Sequence, residues 1–354
     1  MKEGFYTCAL WLHFHHPKTL ACNLKPILDF GDDMALYNEG KIYDLSLAAK
    51  WCPSLDSCYD KSLLMRESIA RKLFPCEEYV EYEDLEDAHY AYRVRDRLRK
   101  EVLVPLHKAL EIPEVYICAK KWEELPYKRV PSVAMKLYKK LFYKHDKERF
   151  EQYLDDVKEG KTTIAAGALL PHEIIASLND STGPEVAELQ WERMVNDLAK
   201  KGKLTNCMAI CDVSGSMNGT PMEVSVALGL LISQLSEEPW KGKLITFSKT
   251  PEFHVKVFDK ILEVAMKGSL SEEQMIKRLF VFSDMEFDVA STRPWETDYS
   301  ATPVPSNEKG VALVSGYSKN LVSLFLEEGG ILSPESVMMQ AISGEEYEKL
   351  VVFD

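Results

Sequence analysis

The sequence predicts an α-helical half followed by a parallel α/β half. Apolar residues recur at helical spacing over residues 1–203, where no strand pattern appears. From residue 204 onward, short apolar strands alternate with helices, which is typical of a parallel, doubly wound sheet. We therefore predict two domains: an all-helical array over residues 1–203 and a Rossmann-like α/β domain over residues 204–354.

The helical half is predicted from periodicity and from its prolines. Helical patterns cover residues 3–16, 61–74, 84–110, 130–161, 171–178 and 185–203. Pro17 should stop the first of these helices, Pro105 should break or kink the third, and Pro171 should start the fifth. Segment 130–161 should form two short helices. Successive helix pairs without strands favour an α-solenoid or an irregular helical array.

The second half has the pattern of a layered sheet. Strands are predicted at 206–212, 242–248, 277–284 and 309–318, with helices at 221–238, 258–268 and 319–330. The helix at 221–238 is apolar nearly all round, which predicts burial within the layers. Ligands of such sheets bind beyond the carboxyl ends of the strands, at the topological switch point.

Composition and charge narrow the class of protein. The chain is 46% hydrophobic and 28% charged, as globular proteins are, and it has no apolar run long enough to cross a membrane. Its net charge of −13 is uneven, since residues 204–354 carry 22 acidic and 12 basic side chains. The eight cysteines form no C-x-x-C pair, so we expect reduced thiols. These features predict a cytoplasmic protein, with the nucleus as the alternative, and no membrane partner.

Three oxygen-bearing side chains follow the first predicted strand. Asp212, Ser214 and Ser216 alternate in "AICDVSGSMNGTP", and Gly215 should let the turn close. Asp284 stands at the end of another predicted strand. Hydroxyl and carboxylate oxygens suit Mg²⁺ or Mn²⁺, so these residues predict a metal site. The other interpretation is an Asx or Ser turn that caps the helix beginning near Pro221, and the matching position of Asp284 favours the metal.

These residues resemble the metal-ion-dependent adhesion site of von Willebrand factor A domains. The resemblance covers residues 204–354 and implies that Asp212, Ser214 and Ser216 form the first ligand loop and Asp284 the third. It also implies a bound Mg²⁺ whose open position is filled by an Asp or Glu carboxylate of a protein partner. The threonine loop of that family has no counterpart here, and we expect segments to be missing near residues 31, 254 and 300.

Longer motifs resemble a plant family that is described only as a domain of unknown function. They include "SLAAKWCPSLD", "AHYAYRVRDRLRKEVLVPL", "KTTIAAGALLPHEI" and "RLFVFSDMEFD". Members of that family combine a helical region similar to the TROVE module, or HEAT-like, with a C-terminal von Willebrand factor A domain. This architecture resembles the Ro ribonucleoprotein, which implies structured RNA as a second kind of partner.

A locally basic stretch gives that RNA hypothesis its candidate residues. Residues 93–149 hold 16 basic and eight acidic side chains. Arg93, Arg97 and Lys100 fall on one helical face, and Lys136 and Lys140 fall on another helix. Clustered cations bind phosphates, and nearby tyrosines could stack on unpaired bases. The alternative is a solvated helix whose arginines pair with the acidic run at 81–87.

Catalytic motifs are scarce. The sequence has no G-x-S-x-G elbow, no G-x-x-x-x-G-K-[ST] loop and no G-x-G-x-x-G after a strand. A Mg²⁺-dependent phosphohydrolase would need an acid two residues after Asp212, where this chain has Ser214. We therefore expect a non-catalytic binding or scaffold protein.

Overall fold

The computed structural model describes residues 2–27, 30–55, 57–180, 182–247, 253–283 and 322. The chain divides into two compact units, whose described residues fall within Met1–Arg129 and Val130–Met339. The helices that follow Val130 therefore share a unit with the sheet. The domain boundary at 203/204 stays a prediction.

The first unit is helical over its described residues. Its α-helices are α1 (Lys2–His15), α2 (Pro17–Ile27), α3 (Phe30–Asn38), α4 (Ala48–Trp51), α5 (Cys58–Leu63), α6 (Met65–Leu73), α7 (Asp87–Arg97), α8 (Val104–Ala109) and α9 (Pro113–Ala119). Short 3₁₀ turns lie at Cys76–Glu78, Val80–Tyr82, Trp122–Glu124 and Tyr127–Arg129. Ile69, Val94, Leu98 and Leu106 lie in one buried cluster of this unit.

The single helix predicted at 61–74 is wrong, because Leu64 divides it. Leu64 has a left-handed backbone with φ of 47°, and it ends α5 and begins α6. The buried Asp60 bonds to both sides of this break. Its carbonyl accepts a hydrogen bond from Leu64 N at 2.8 Å, and its carboxylate accepts one from Arg66 N at 2.9 Å. Asp60 thus satisfies an amide at the start of α6.

Helix α8 continues through Pro105, so the helix is not broken there, and a kink stays a prediction. α7 runs directly into a π-helical segment, Leu98–Leu103, which continues into α8. Pro105 lacks an amide N–H, so it cannot make the regular bond to the carbonyl four residues earlier. Such wider turns occur where the regular ladder of hydrogen bonds is interrupted.

The second unit combines helices with a parallel sheet. Its elements are α10 (Ser132–His145), α11 (Lys147–Lys158), α12 (Pro171–Leu178), α13 (Pro184–Ala199), β1 (Cys207–Asp212), α14 (Thr220–Leu235), β2 (Leu244–Phe247), α15 (Phe253–Gly268) and β3 (Arg278–Phe282). The strand order is β2-β1-β3 and both pairs are parallel. The parallel sheet and the two helices of segment 130–161 are confirmed.

Helices cover both faces of this sheet. Ala209 packs in one buried cluster with Val224 and Leu228 of α14. On the other face, Ile210 packs in a cluster with Trp240 and with Ile261 of α15. α12 and α13 also pack on α14. This double burial explains why α14 is apolar nearly all round, as predicted.

Close packing of α14 on β1 depends on Gly229. A Cβ atom at this position would overlap Sγ of Cys211 in β1. Both residues are buried. A glycine is therefore required for α14 to lie this close to the central strand.

Several predictions fall on residues outside the described part of the chain. They are Asp284, the strand at 309–318 and most of the helix at 319–330, of which only Val322 is described, as helical and buried. In the described ranges, no helix is both long and apolar enough to cross a membrane. The seven cysteines whose side chains are described, Cys58 not being among them, carry free thiols.

Candidate metal centre

The chain topology creates a switch point at the carboxyl ends of β1 and β3. From β1 the chain passes through α14 to β2 on one side, and from β2 it passes through α15 to β3 on the other side of β1. Ligands of doubly wound sheets bind where the strand order reverses in this way. Asp212 ends β1, and Cys211 pairs with Phe282 of β3. The residue that follows Phe282 therefore lies beside Asp212.

Asp212 is held on both of its carboxylate oxygens. It is buried, with 3% of its surface exposed. Its Oδ1 accepts a hydrogen bond from Ser214 N at 2.8 Å, and its Oδ2 accepts one from the Ser283 hydroxyl at 3.0 Å. The first bond is an Asx turn within the loop, and the second joins the ends of two strands. One orientation of the carboxylate satisfies both.

The two serines of the loop lie together. The hydroxyls of Ser214 and Ser216 are 3.0 Å apart, and Ser214 directly precedes a 3₁₀ turn at Gly215–Met217. Ser216 is exposed, whereas Met217 is buried and anchors the turn. The described structure thus brings Asp212, Ser214 and Ser216 into one turn.

Two details of this loop differ from the sequence-based expectations. Gly215 has no left-handed backbone, and a Cβ on it would meet nothing within 4 Å, so the turn does not require it. The required glycine is Gly219, whose φ of 90° is rare for side-chain-bearing residues. The Asx turn precedes the 3₁₀ turn, whereas α14 begins after Gly219 without a side-chain cap.

The end of β3 is also held by a hydrogen bond from α14. The buried Ser225 of α14 donates a hydrogen bond to the carbonyl of Phe282 at 3.2 Å. This bond holds the residue before Ser283, so Ser283 is positioned by α14 as well as by the sheet register. Sequence reasoning singled out Asp284 but not Ser283, although both stand in "FSDME" at the same strand end.

The oxygen atoms at this site are of the chemical type that a hard divalent cation binds. Across the described ranges, no group of three or more His, Cys, Asp and Glu side chains could hold a metal ion. The Asp212 carboxylate accepts a hydrogen bond from the Ser283 hydroxyl, and the hydroxyls of Ser214 and Ser216 contact each other in the loop that follows it. Mg²⁺ and Mn²⁺ accept such oxygen ligands and retain water in the remaining positions. Asp284 would add a second carboxylate, but it lies outside the described residues.

Two families match the chain. The family described as Domain of unknown function (DUF2828) matches residues 28–204, which is half of the chain. The chain belongs to the DUF2828 family. The family described as Domain of unknown function (DUF7788) matches residues 206–256, 254–302 and 300–351. Its junctions fall near 254 and 300, where the sequence led us to expect missing segments. The prediction of a family of unknown function is confirmed, while the von Willebrand factor A, TROVE and plant assignments stay predictions.

A viral relative extends this comparison. Uncharacterized protein L728 of Acanthamoeba polyphaga mimivirus is 25% identical to the DUF2828 chain over 349 residues. The alignment covers 80% of this chain and 58% of the viral protein, so the chain spans little more than half the length of that relative. No solved structure matches the chain with significance.

The basic residues predicted to bind RNA lie within the DUF2828 match, and four of the five are paired with carboxylates. The distances from cation to carboxylate oxygen are 2.9 Å for Arg97 to Glu81, 2.7 Å for Lys100 to Asp96, 3.9 Å for Lys136 to Glu173 and 3.2 Å for Lys140 to Asp180. Arg93 is exposed and forms no ion pair with the part of the chain that the structure describes. Glu81 belongs to the acidic run, so this pair favours the alternative of a self-paired helix.

Arg97 is also part of the packing of the DUF2828 region. Its guanidinium lies 4.5 Å from the ring centroid of Phe74 and 4.4 Å from that of Tyr79. It bonds to Glu101 at 2.8 Å and to the Tyr82 hydroxyl at 3.2 Å. These contacts give Arg97 a structural role that its helical spacing did not indicate.

Proposed function

We propose that the edge of the sheet at Asp212 is a metal-ion-dependent adhesion site of von Willebrand factor A type. The site binds Mg²⁺ or Mn²⁺ through Asp212, Ser214, Ser216 and Asp284. When bound, the cation offers an open position to a carboxylate of a protein partner. The protein is then a non-catalytic binding or scaffold protein whose partner presents Asp or Glu.

The hydrogen bond between Ser283 and Asp212 is the observation that carries this proposal. This bond supports a site that is assembled from the ends of β1 and β3 at the switch point. A loop that served only as a turn would not need a contact with the end of β3. Asp284 follows Ser283 directly in the chain. The paired hydroxyls of Ser214 and Ser216 add neutral oxygens to the loop that follows Asp212.

Titration of the full chain with Mn²⁺ tests the metal site. Free Mn²⁺ has a sharp paramagnetic resonance signal that is lost on binding, so its decrease gives the dissociation constant. We expect Asp212→Asn to weaken binding by about tenfold or more, since loss of a ligand exceeds the effect of outer contacts. Asparagine keeps an Oδ1 acceptor for Ser214 N, so the turn is retained while the charge is removed.

The matched control is Asp259→Asn, which removes an exposed carboxylate from α15. It should leave Mn²⁺ binding unchanged. Equal binding by the wild type and Asp212→Asn would refute the site. If Mn²⁺ binds, a second measurement tests the carboxylate partner. A Glu-containing peptide should displace a water molecule from the bound Mn²⁺, so the relaxation rate of water protons should fall when the peptide is added. An unchanged relaxation rate would argue against the carboxylate partner.

RNA binding by a TROVE-like or HEAT-like helical half is the alternative, and the exposed Arg93 beside the exposed Tyr92 favours it. A structured RNA should then bind in EDTA, weaken with salt and lose affinity on Arg93→Glu. Glu86→Lys is the control, at an exposed position in the same unit. It raises the net charge by as much as Arg93→Glu lowers it, so it shows how far net charge alone changes the affinity. Unchanged affinity in Arg93→Glu would eliminate this interface.

A further inference from the structure

A second candidate site lies among the helices of the second unit. A cavity of about 480 Å³ opens between α12, α13 and α14, within the size range of ligand sites. Its walls are formed by Ile175, Leu178, Glu188, Trp191, Glu192 and Leu230. We call these six residues the acidic-rimmed groove. The four apolar residues among them are each only partly buried.

Trp191 is positioned by a polar contact. Its indole N–H donates a hydrogen bond to Oε1 of Gln234 at 2.7 Å, which joins α13 to α14. Trp191 and Leu178 also pack against the buried cluster beneath the groove. Tryptophan is one of the residue types that are enriched among the side chains carrying most of the binding energy at protein interfaces.

The rim of the groove carries two like charges. Glu188 and Glu192 are exposed, lie four residues apart on α13, and form no ion pair with the described residues. Like charges at this spacing destabilise a helix. Most other acidic residues of the second unit have a cationic partner, for example Glu185 with Lys158 and Asp197 with Arg193.

We propose that the acidic-rimmed groove binds a basic, amphipathic segment of a partner protein. An aliphatic or aromatic side chain of that segment fills the space against Trp191 and Leu230, and Lys or Arg residues pair with Glu188 and Glu192. This is the mode in which an amphipathic helix lies in an apolar groove and charges set the register. This site is distinct from the proposed metal site.

Fluorescence anisotropy with the full chain tests the proposal. The probe is a labelled peptide of Leu and Lys at helical spacing, and the matched peptide has Glu in place of Lys. We expect saturable binding of the Lys peptide alone. The double variant Glu188→Lys/Glu192→Lys should weaken it by about tenfold or more, because attraction at the rim becomes repulsion.

A matched variant separates the groove from general electrostatics. Glu148→Lys/Glu272→Lys reverses two exposed glutamates of the same unit and changes the net charge equally. It should bind the Lys peptide as the wild type does. Equal weakening in both double variants, equal binding of the Glu peptide, or no saturable binding would each overturn the proposal.

Fluorine NMR of protein containing 5-fluorotryptophan locates the peptide. The chain has six tryptophans, and the Trp191 resonance is assigned by its loss in Trp191→Phe. The Lys peptide should shift this resonance. Shifts at other tryptophans with none at Trp191 would show that the peptide binds elsewhere and would overturn the assignment of the groove.

Discussion

The hydroxyl of Ser283 donates a hydrogen bond to Oδ2 of Asp212 at 3.0 Å, across a separation of 71 residues in the chain. This bond joins the carboxyl ends of two adjacent parallel strands at a point where the strand order reverses. It orients a buried carboxylate whose other oxygen is held by Ser214 N. The position of Asp212 therefore depends on the sheet as well as on its own loop.

Removing the Ser283 hydroxyl should destabilise the protein. Ser283→Ala leaves one oxygen of a buried carboxylate without this donor, which costs about 1–3 kcal/mol in the free energy of unfolding. Urea denaturation measures the loss. In an Asp212→Asn background the same substitution should cost less, with a coupling energy of about 0.5–3 kcal/mol. Strictly additive losses would show that the two side chains do not interact.

Adding one methyl group at Gly229 should also destabilise the fold. Gly229→Ala places a Cβ against Sγ of Cys211, and overpacking of this kind costs about 1–3 kcal/mol. Gly31→Ala is the matched control, since a Cβ at this exposed site in α3 meets nothing within 4 Å. It should change stability by less than about 0.5 kcal/mol, since Gly31 is exposed and lies in the first turn of α3. Thermal unfolding should show a clear loss for Gly229→Ala alone.

Substitution of Arg97 should destabilise the protein far more than substitution of Arg93, although the two residues are one helical turn apart. Arg97→Ala removes two cation–π contacts and two ion pairs, so we expect a loss of about 1–3 kcal/mol in urea denaturation. Arg93→Ala should change stability by less than about 0.5 kcal/mol. Equal effects would contradict the packing role of Arg97. Because of this role, Arg93 is the cleaner position at which to test RNA binding.

Stability at alkaline pH should depend on Tyr143. Burial, with the nearby Glu185 carboxylate, raises the pKa of Tyr143 from 10.0 to about 12. Between these values the unfolded chain has lost the phenolic proton and the folded chain has kept it, so stability falls as pH rises. Tyr143→Phe removes this contribution and should flatten the decline in unfolding free energy from pH 10 to about pH 12. An unchanged decline in the variant would show that Tyr143 does not contribute.

The sequence predicted the helices and strands of the second unit's described residues because their patterns are local. The apolar run "CMAIC" indicated the buried strand β1, and the all-round apolar pattern of α14 indicated its burial on two sides. The helix at 61–74 was predicted as continuous because Leu64 and its neighbours have ordinary helical spacing. The left-handed backbone of Leu64 and the bond from Arg66 N to the buried Asp60 carboxylate have no counterpart in hydrophobic periodicity.

The sequence alone determined which side chains stand at strand ends, because strand and helix periods identify where each strand stops. It therefore singled out Asp212, Ser214 and Ser216, and it located the basic stretch that contains Arg93 and Arg97. Only the tertiary structure decided which of these residues have partners. The pairing of Asp212 with Ser283, the enclosure of Arg97 by Phe74 and Tyr79, and the groove around Trp191 all arise from contacts between elements distant in the chain. Such contacts are fixed by strand order and helix packing, which local patterns do not encode.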